Sequence, residues 1–119
     1  MVKFSKMKMR KNMKRHGQLI GLDRQCFDDY VRYHESIWPE IAQTIRDCNI
    51  RNYSIFQFGN KLFAYFEYVG TDFEQDMQKM ADDKKTQEWW ALMEPMQRPV
   101  ENRKEGEWWA EMNEVFHQD

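Results

Sequence analysis

Tyr30 and His34 lie four residues apart in a stretch whose apolar residues recur at spacings of three and four. On a helix the phenol and the imidazole therefore project from one face, with Phe27 a further turn back. An imidazole titrates near pH ~6.5 and can take and return a proton at neutral pH. The same spacing also describes a histidine at the edge of the core, bonded to backbone. Trp89-Trp90 is a second candidate, because adjacent helical residues point ~100° apart, so one indole can enter the core while the other walls a cavity. An indole offers a flat apolar surface to the C–H face of a pyranose and an N–H to a hydroxyl. Trp108-Trp109 is an equal doublet by composition, and packing or a subunit contact accounts for either pair as readily.

Other chemistries fit less well. His16, His34 and His117 have no HxxxH spacing, and Cys26 and Cys48 form no CxxC pair, so no metal site is expected. Five dispersed glycines match neither a phosphate-binding loop nor a dinucleotide fingerprint. Both cysteines fall at helical positions that read as buried, where a thiol is inert.

The elements that must position these residues follow from periodicity. Residues 1–14 alternate basic side chains with scattered Met and keep no sustained period, which predicts an arm preceding a single domain over residues 15–119. Arg15–Leu22 predicts a strand closed by Asp23, a helix N-cap. From Arg24, the stripe Phe27, Tyr30, Val31, His34, Ile37 and Trp38 predicts an amphipathic helix. Pro39 interrupts it, so Glu35–Trp38 should bend and Pro39 should open a second helix to about Asp47, burying Ile41, Ile45 and Cys48. Asn52–Phe58 and Lys61–Val69 flank Gly59-Asn60, a turn suited to positive φ, and predict a hairpin. Both hairpin faces are apolar, with Tyr53 and Ile55 on one side and Phe56 and Phe58 on the other. Thr71 or Asp72 caps a helix with the stripe Phe73, Met77 and Met80, and Asp82-Asp83 leads into another bearing Trp89, Trp90, Leu92 and Met93. Pro95 and Pro99 end the helical pattern, Glu101–Glu107 reads as a loop, and Trp109–His117 predicts a closing strand.

Strand, bent helix, hairpin, helices and strand make an α+β sandwich of the ferredoxin-like kind. Helices cover one face of the sheet. The other face, still aromatic, calls for the same face of a second copy, which predicts a homodimer whose sheets enclose a pocket.

Composition narrows the classes further. The 119 residues are 41% hydrophobic and 32% charged, with five Gly and three Pro, which excludes collagenous and predominantly disordered chains. No apolar run approaches the ~20 residues of a membrane helix, so no membrane partner is expected. Seven Lys or Arg and no acid fall within residues 1–16, leaving 11 basic against 20 acidic residues in the remainder. An acidic body argues against nucleic acid as a partner. Two cysteines cannot make a disulfide framework, and no apolar core follows the basic start as in a signal peptide, so the cytoplasm is the expected compartment. The aromatic share, 15%, exceeds what a core of this size needs and points to a ligand or a partner subunit.

The string Tyr30-Val-Arg-Tyr-His34-Glu-Ser-Ile-Trp38-Pro39-Glu40, followed by Asn52-Tyr53, Trp89-Trp90 and Glu114-Val115-Phe116, resembles the L-rhamnose mutarotase family from about Arg15 to the C-terminus. The resemblance implies a cytoplasmic, cofactor-free enzyme built as a dimeric α+β barrel, which converts the α and β anomers of a 6-deoxy-hexose such as L-rhamnose or L-fucose. It implies that His34 is the proton donor and that Tyr30, Tyr53, Trp89 and Trp90 bind the substrate. The chain departs from the pattern in its first dozen residues, in a longer loop around Glu101–Trp109, and at His117, where an aromatic is expected. Loops beside a pocket set specificity, so these departures bear on which monosaccharide is used. The architecture also hosts haem-degrading enzymes and cofactor-free monooxygenases, and the aromatics alone would suit a non-catalytic sugar-binding module.

Overall fold

The computed structural model describes residues 13–119; most of the predicted basic arm lies outside the described residues. Strand β1 runs Lys14–Leu22, one residue longer than expected at its start. Asp23 then accepts a hydrogen bond from the Gln25 amide (3.0 Å) and caps a short 3-10 turn, Arg24–Cys26. Helix α1 spans Phe27–Glu35 and helix α2 spans Pro39–Asp47, with the break between them where proline removes the amide donor. Cys48 is fully buried as expected, whereas Cys26, in the 3-10 turn before α1, is only half-buried.

Strands β2 (Ile50–Phe58) and β3 (Lys61–Tyr68) form the hairpin, and Gly59 takes φ 58° in its turn. Helices α3 (Phe73–Asp82) and α4 (Lys84–Met93) follow, capped by the carboxylates of Asp72 and Asp83. Two elements differ from expectation. A two-residue strand, β4 (Gln97–Arg98), lies in the stretch that Pro95 and Pro99 mark as broken, because two residues are too few to show a period. The closing strand, β5, is only Ala110–Met112; beyond it Val115 and Phe116 are exposed, so their apolar character does not reflect pairing within this chain.

All strand pairs are antiparallel, in the order β2-β3-β1-β4, the ferredoxin-like arrangement. The free edge of β1 is shared: Gly21 and Leu22 face β4, and Gly17 to Leu19 face β5. Gly21 is required there, since a Cβ would stand 2.5 Å from the Arg98 carbonyl oxygen. His16 packs against both Phe66 and Phe73 (4.8 and 4.6 Å) and hydrogen-bonds Glu111 through Nδ1 at 2.6 Å, while Gln18 Nε2 donates to the other Glu111 oxygen at 2.9 Å, fastening β5 to β1.

Alternation along β3 is complete: Leu62, Ala64, Phe66 and Tyr68 are buried, and the residues between them are not. The inner face packs on the helices, with Ile20, Leu22, Ile41, Leu62, Trp89 and Met93 in one cluster and Ile50, Phe66 and Tyr68, against Phe73, Met77 and Met80, in a second. The outer face is left uncovered, with Phe56 64% and Phe58 81% exposed.

Candidate active site

Between the inner face of the curled sheet and the helices lies a cavity of about 880 Å³, within the ~300–1,000 Å³ usual for small-molecule sites. It belongs to one chain. Helices α1, α2 and α4 stand off from the sheet far enough to leave a cup. Tyr30, His34, Tyr53, Trp89 and Trp90, the five residues singled out in the sequence, all line it, together with Gln18, Gln97, Trp108 and Trp109.

Helix α1 supplies the first pair. Tyr30 and His34 are one turn apart and their rings meet at 4.4 Å. The His34 Nδ1 lies 2.7 Å from the Tyr30 carbonyl oxygen. A carbonyl only accepts, so Nδ1 is the donor in this bond and Nε2 is left free of it. The backbone-bonded histidine and the cavity histidine weighed in the sequence are thus the same side chain. Trp89 packs edge-on to the His34 ring at 5.5 Å and is itself wedged by Trp38 (5.2 Å) and Tyr33 (6.1 Å), fixing the imidazole from the side.

The two indoles diverge as their adjacency requires: Trp89 is 6% exposed and part of the core, and Trp90 is 39% exposed at the rim. Their helix is held by Asp83, which accepts from the Thr86 amide (3.0 Å) and hydroxyl (2.9 Å); these bonds keep its carboxyl below the usual range.

Tyr53 reaches the cavity through an irregularity. Between Arg51 and Ser54 the β2–β3 register slips by one residue, so Asn52 and Tyr53 together oppose Phe66. Asn52 takes φ 52°, a conformation asparagine tolerates, and its Nδ2 donates to Glu67 Oε1 at 2.7 Å on the outer side. The bulge turns Tyr53 inward against Phe66 (5.6 Å). One flank of Tyr53 faces the open cup and 41% of the residue is exposed, yet the surrounding walls desolvate its phenol and push its pKa up, with Tyr30 adding to the effect. Burial raises Tyr30 likewise, against a smaller opposing contribution from its bond with Gln97. Both phenols therefore stay protonated around neutrality and act as hydrogen-bonding groups.

Sequence reasoning missed Gln97 and left Trp108 without a role. Gln97 Nε2 lies 3.1 Å from the Tyr30 hydroxyl, and the Trp108 Nε1 donates to Gln97 Oε1 at 2.7 Å. The only signal was the doublet itself, since glutamine between two prolines has no distinguishing pattern. The arrangement is an aromatic-walled cup that brings together one imidazole and two neutral phenols, suited to a small polar molecule with apolar faces.

Comparison with known proteins agrees with this geometry. The family model for L-rhamnose mutarotase matches residues 15–118. An L-rhamnose mutarotase of Oceanobacillus iheyensis is 33% identical over 109 residues, covering 90% of this chain and all of the relative. One from Bacillus subtilis is 34% identical over 85 residues, 70% of this chain and 79% of the relative. The crystal structure of an L-rhamnose mutarotase from Formosa agariphila superposes with a TM-score of 0.68 at 24% identity, over 89% of this chain and 99% of that one, and so shares the fold. A match that spans nearly the whole domain, joined to a relative 33% identical over its full length, shows that the chain belongs to the L-rhamnose mutarotase family.

Proposed function

We propose that this protein interconverts the α and β anomers of L-rhamnose, or of a related 6-deoxy-L-sugar such as L-fucose, by acid–base ring opening and closure. Anomer exchange needs a proton to leave the C1 hydroxyl while another reaches the ring oxygen; the open aldehyde then rotates and closes on its other face. His34 Nε2 delivers a proton to the ring oxygen on opening and recovers it from the C5 hydroxyl on closure, while the proton lost by the C1 hydroxyl passes to solvent water and one returns to the new C1 hydroxyl from there. Tyr30 and Tyr53 orient sugar hydroxyls, and Trp89 and Trp90 receive the C–H face of the ring. Nothing is oxidised, and positioned acid–base catalysis worth ~10²–10⁴-fold is sufficient for a reaction that already runs unaided in water.

The observation that carries this reading is the tether from His34 Nδ1 to the helix backbone, which leaves one nitrogen to cycle a proton in an aromatic cup. Saturation-transfer NMR on L-rhamnose measures it directly: wild type should accelerate exchange and His34→Asn should return it to within a few-fold of the uncatalysed rate. A His34→Asn protein at wild-type rate would remove His34 from the mechanism. A panel of L-sugars in the same experiment sets the specificity.

The uncovered outer face, Phe56, Phe58, Phe63 and Met112, supports assembly as a homodimer through that face, since exposed aromatic patches of this kind are rarely left to water. Among the described residues no helix is long and apolar enough to cross a membrane, and a metabolic role on free monosaccharide agrees with a cytoplasmic setting.

A further inference from the structure

The Trp108 loop makes one polar connection into the cup, and its direction is fixed by chemistry. An indole N–H can only donate, so the Gln97 atom 2.7 Å from Trp108 Nε1 must be the amide oxygen. The Gln97 NH₂ is then the group 3.1 Å from the Tyr30 hydroxyl. An amide nitrogen has no lone pair to offer, so this bond runs from Gln97 to the phenol oxygen and the phenol's own proton is turned elsewhere. Turning the amide over would set the indole N–H against NH₂, donor against donor. Gln97 is 6% exposed and Tyr30 4%, so bulk water does not compete for either group. The three residues come from α1, β4 and the segment before β5, and all line the cavity.

We propose that Trp108 and Gln97 are positioning residues that fix the polarity of the Tyr30 hydroxyl, so that Tyr30 presents its proton, and not a lone pair, to an acceptor oxygen of the bound sugar. This rests on the reading that Tyr30 touches the sugar. A pyranose ring oxygen can only accept, whereas hydroxyls do both, so a fixed donor selects how the ring is seated relative to His34.

The test is a double-mutant cycle. Gln97→Glu replaces the donating NH₂ by a carboxylate that draws the Tyr30 proton to itself, and should lower kcat/KM for anomer exchange about tenfold. Trp108→Phe keeps a ring but frees the amide to turn, and should lose about threefold. In a Tyr30→Phe background, with no hydroxyl to orient, neither change should cost more than about twofold. Equal losses in both backgrounds, or wild-type exchange in the Tyr30 background, would overturn the proposal. Should Gln97→Glu melt early, Trp108→Phe and Gln97→Met complete the same cycle.

A readout independent of turnover is the tyrosine Fermi doublet in the Raman difference spectrum between wild type and Tyr30→Phe, which reports whether a phenol oxygen accepts or donates. An acceptor signature that converts to a donor one in Gln97→Glu supports the proposal; a donor signature in wild type refutes it. A wild-type protein without anomer exchange would refute the mutarotase reading instead, and the Raman signature would still decide the direction of the Tyr30 bond.

Discussion

Replacing each indole of the Trp89-Trp90 pair by alanine separates a wall that also holds the fold from a wall that chiefly holds ligand. Trp89 is 6% exposed and touches the rings of Tyr33, His34 and Trp38; Trp90 is 39% exposed. A buried indole hides ~200 Å², and at ~25 cal/mol per Å² that burial is worth about 5 kcal/mol for Trp89 and about 3 kcal/mol for Trp90, both upper limits. Alanine at 89 also leaves a hole beneath His34 that its neighbours can only partly fill, whereas alanine at 90 opens onto water already present. We therefore expect Trp89→Ala to lose ~3–5 kcal/mol and Trp90→Ala ~1–2 kcal/mol. Urea unfolding followed by far-UV circular dichroism measures both, since fluorescence would lose its own reporter. The sugar KM should still rise about tenfold in Trp90→Ala through loss of its stacking surface, equivalent to ~1.4 kcal/mol. Equal destabilisation by the two substitutions, or an unchanged KM in Trp90→Ala, would refute the division of roles.

Three further outcomes are expected. Gly21→Ala forces a methyl against the Arg98 carbonyl and should cost ~1–3 kcal/mol in urea unfolding, more than Gly59→Ala, where φ 58° is strained but no atom lies within 4 Å of the new Cβ; the reverse order would contradict the β1–β4 packing. Hydrogen bonds from Thr86 to Asp83, from Tyr68 and Asn49 to Asp76, and from Tyr65 and Asn52 to Glu67 hold these carboxyls below their ordinary values. Depressed folded-state pKa values stabilise above the unfolded value, near pH ~4, and that contribution is lost as pH falls through the folded values. The urea midpoint should thus be flat from about pH 7 to about pH 5 and fall below, and a midpoint rising on acidification would contradict it. Finally, Phe58→Asp on the outer face should yield a folded monomer by sedimentation at micromolar concentration, whereas an unchanged dimer would move the interface elsewhere.

Much of this architecture was legible where a residue's chemistry acts locally. Pro39 ends one helix and opens the next because its ring removes a donor, wherever the chain goes afterwards. Phe73, Met77 and Met80 mark a helix face, and the alternation of Leu62 to Tyr68 marks a strand, because burial repeats with the period of the element. Tyr30 and His34 were found for the same reason. What was not legible depends on distant partners. Gln97 and Arg98 become a strand only because β1 offers an edge. Gln97 matters because Trp108 and Tyr30 flank it, 11 residues after and 67 before. Val115 and Phe116 look like strand residues and lie outside the sheet, and the cup's place beneath the helices follows from sheet curl, which no pattern encodes.

The patchwork edge of β1 has a consequence for how such a binding site diversifies. Because β4 docks at the end and β5 along the middle of one strand, the segment joining them begins and ends at anchored points and takes no part in the ladder. Doubling its length costs only ~0.6 kcal/mol of closure entropy and shifts no register. Apart from the contact of Trp108 with Gln97, that segment is therefore an interchangeable part, open to trial by insertion and deletion while the histidine keeps its place on a helix the segment does not form.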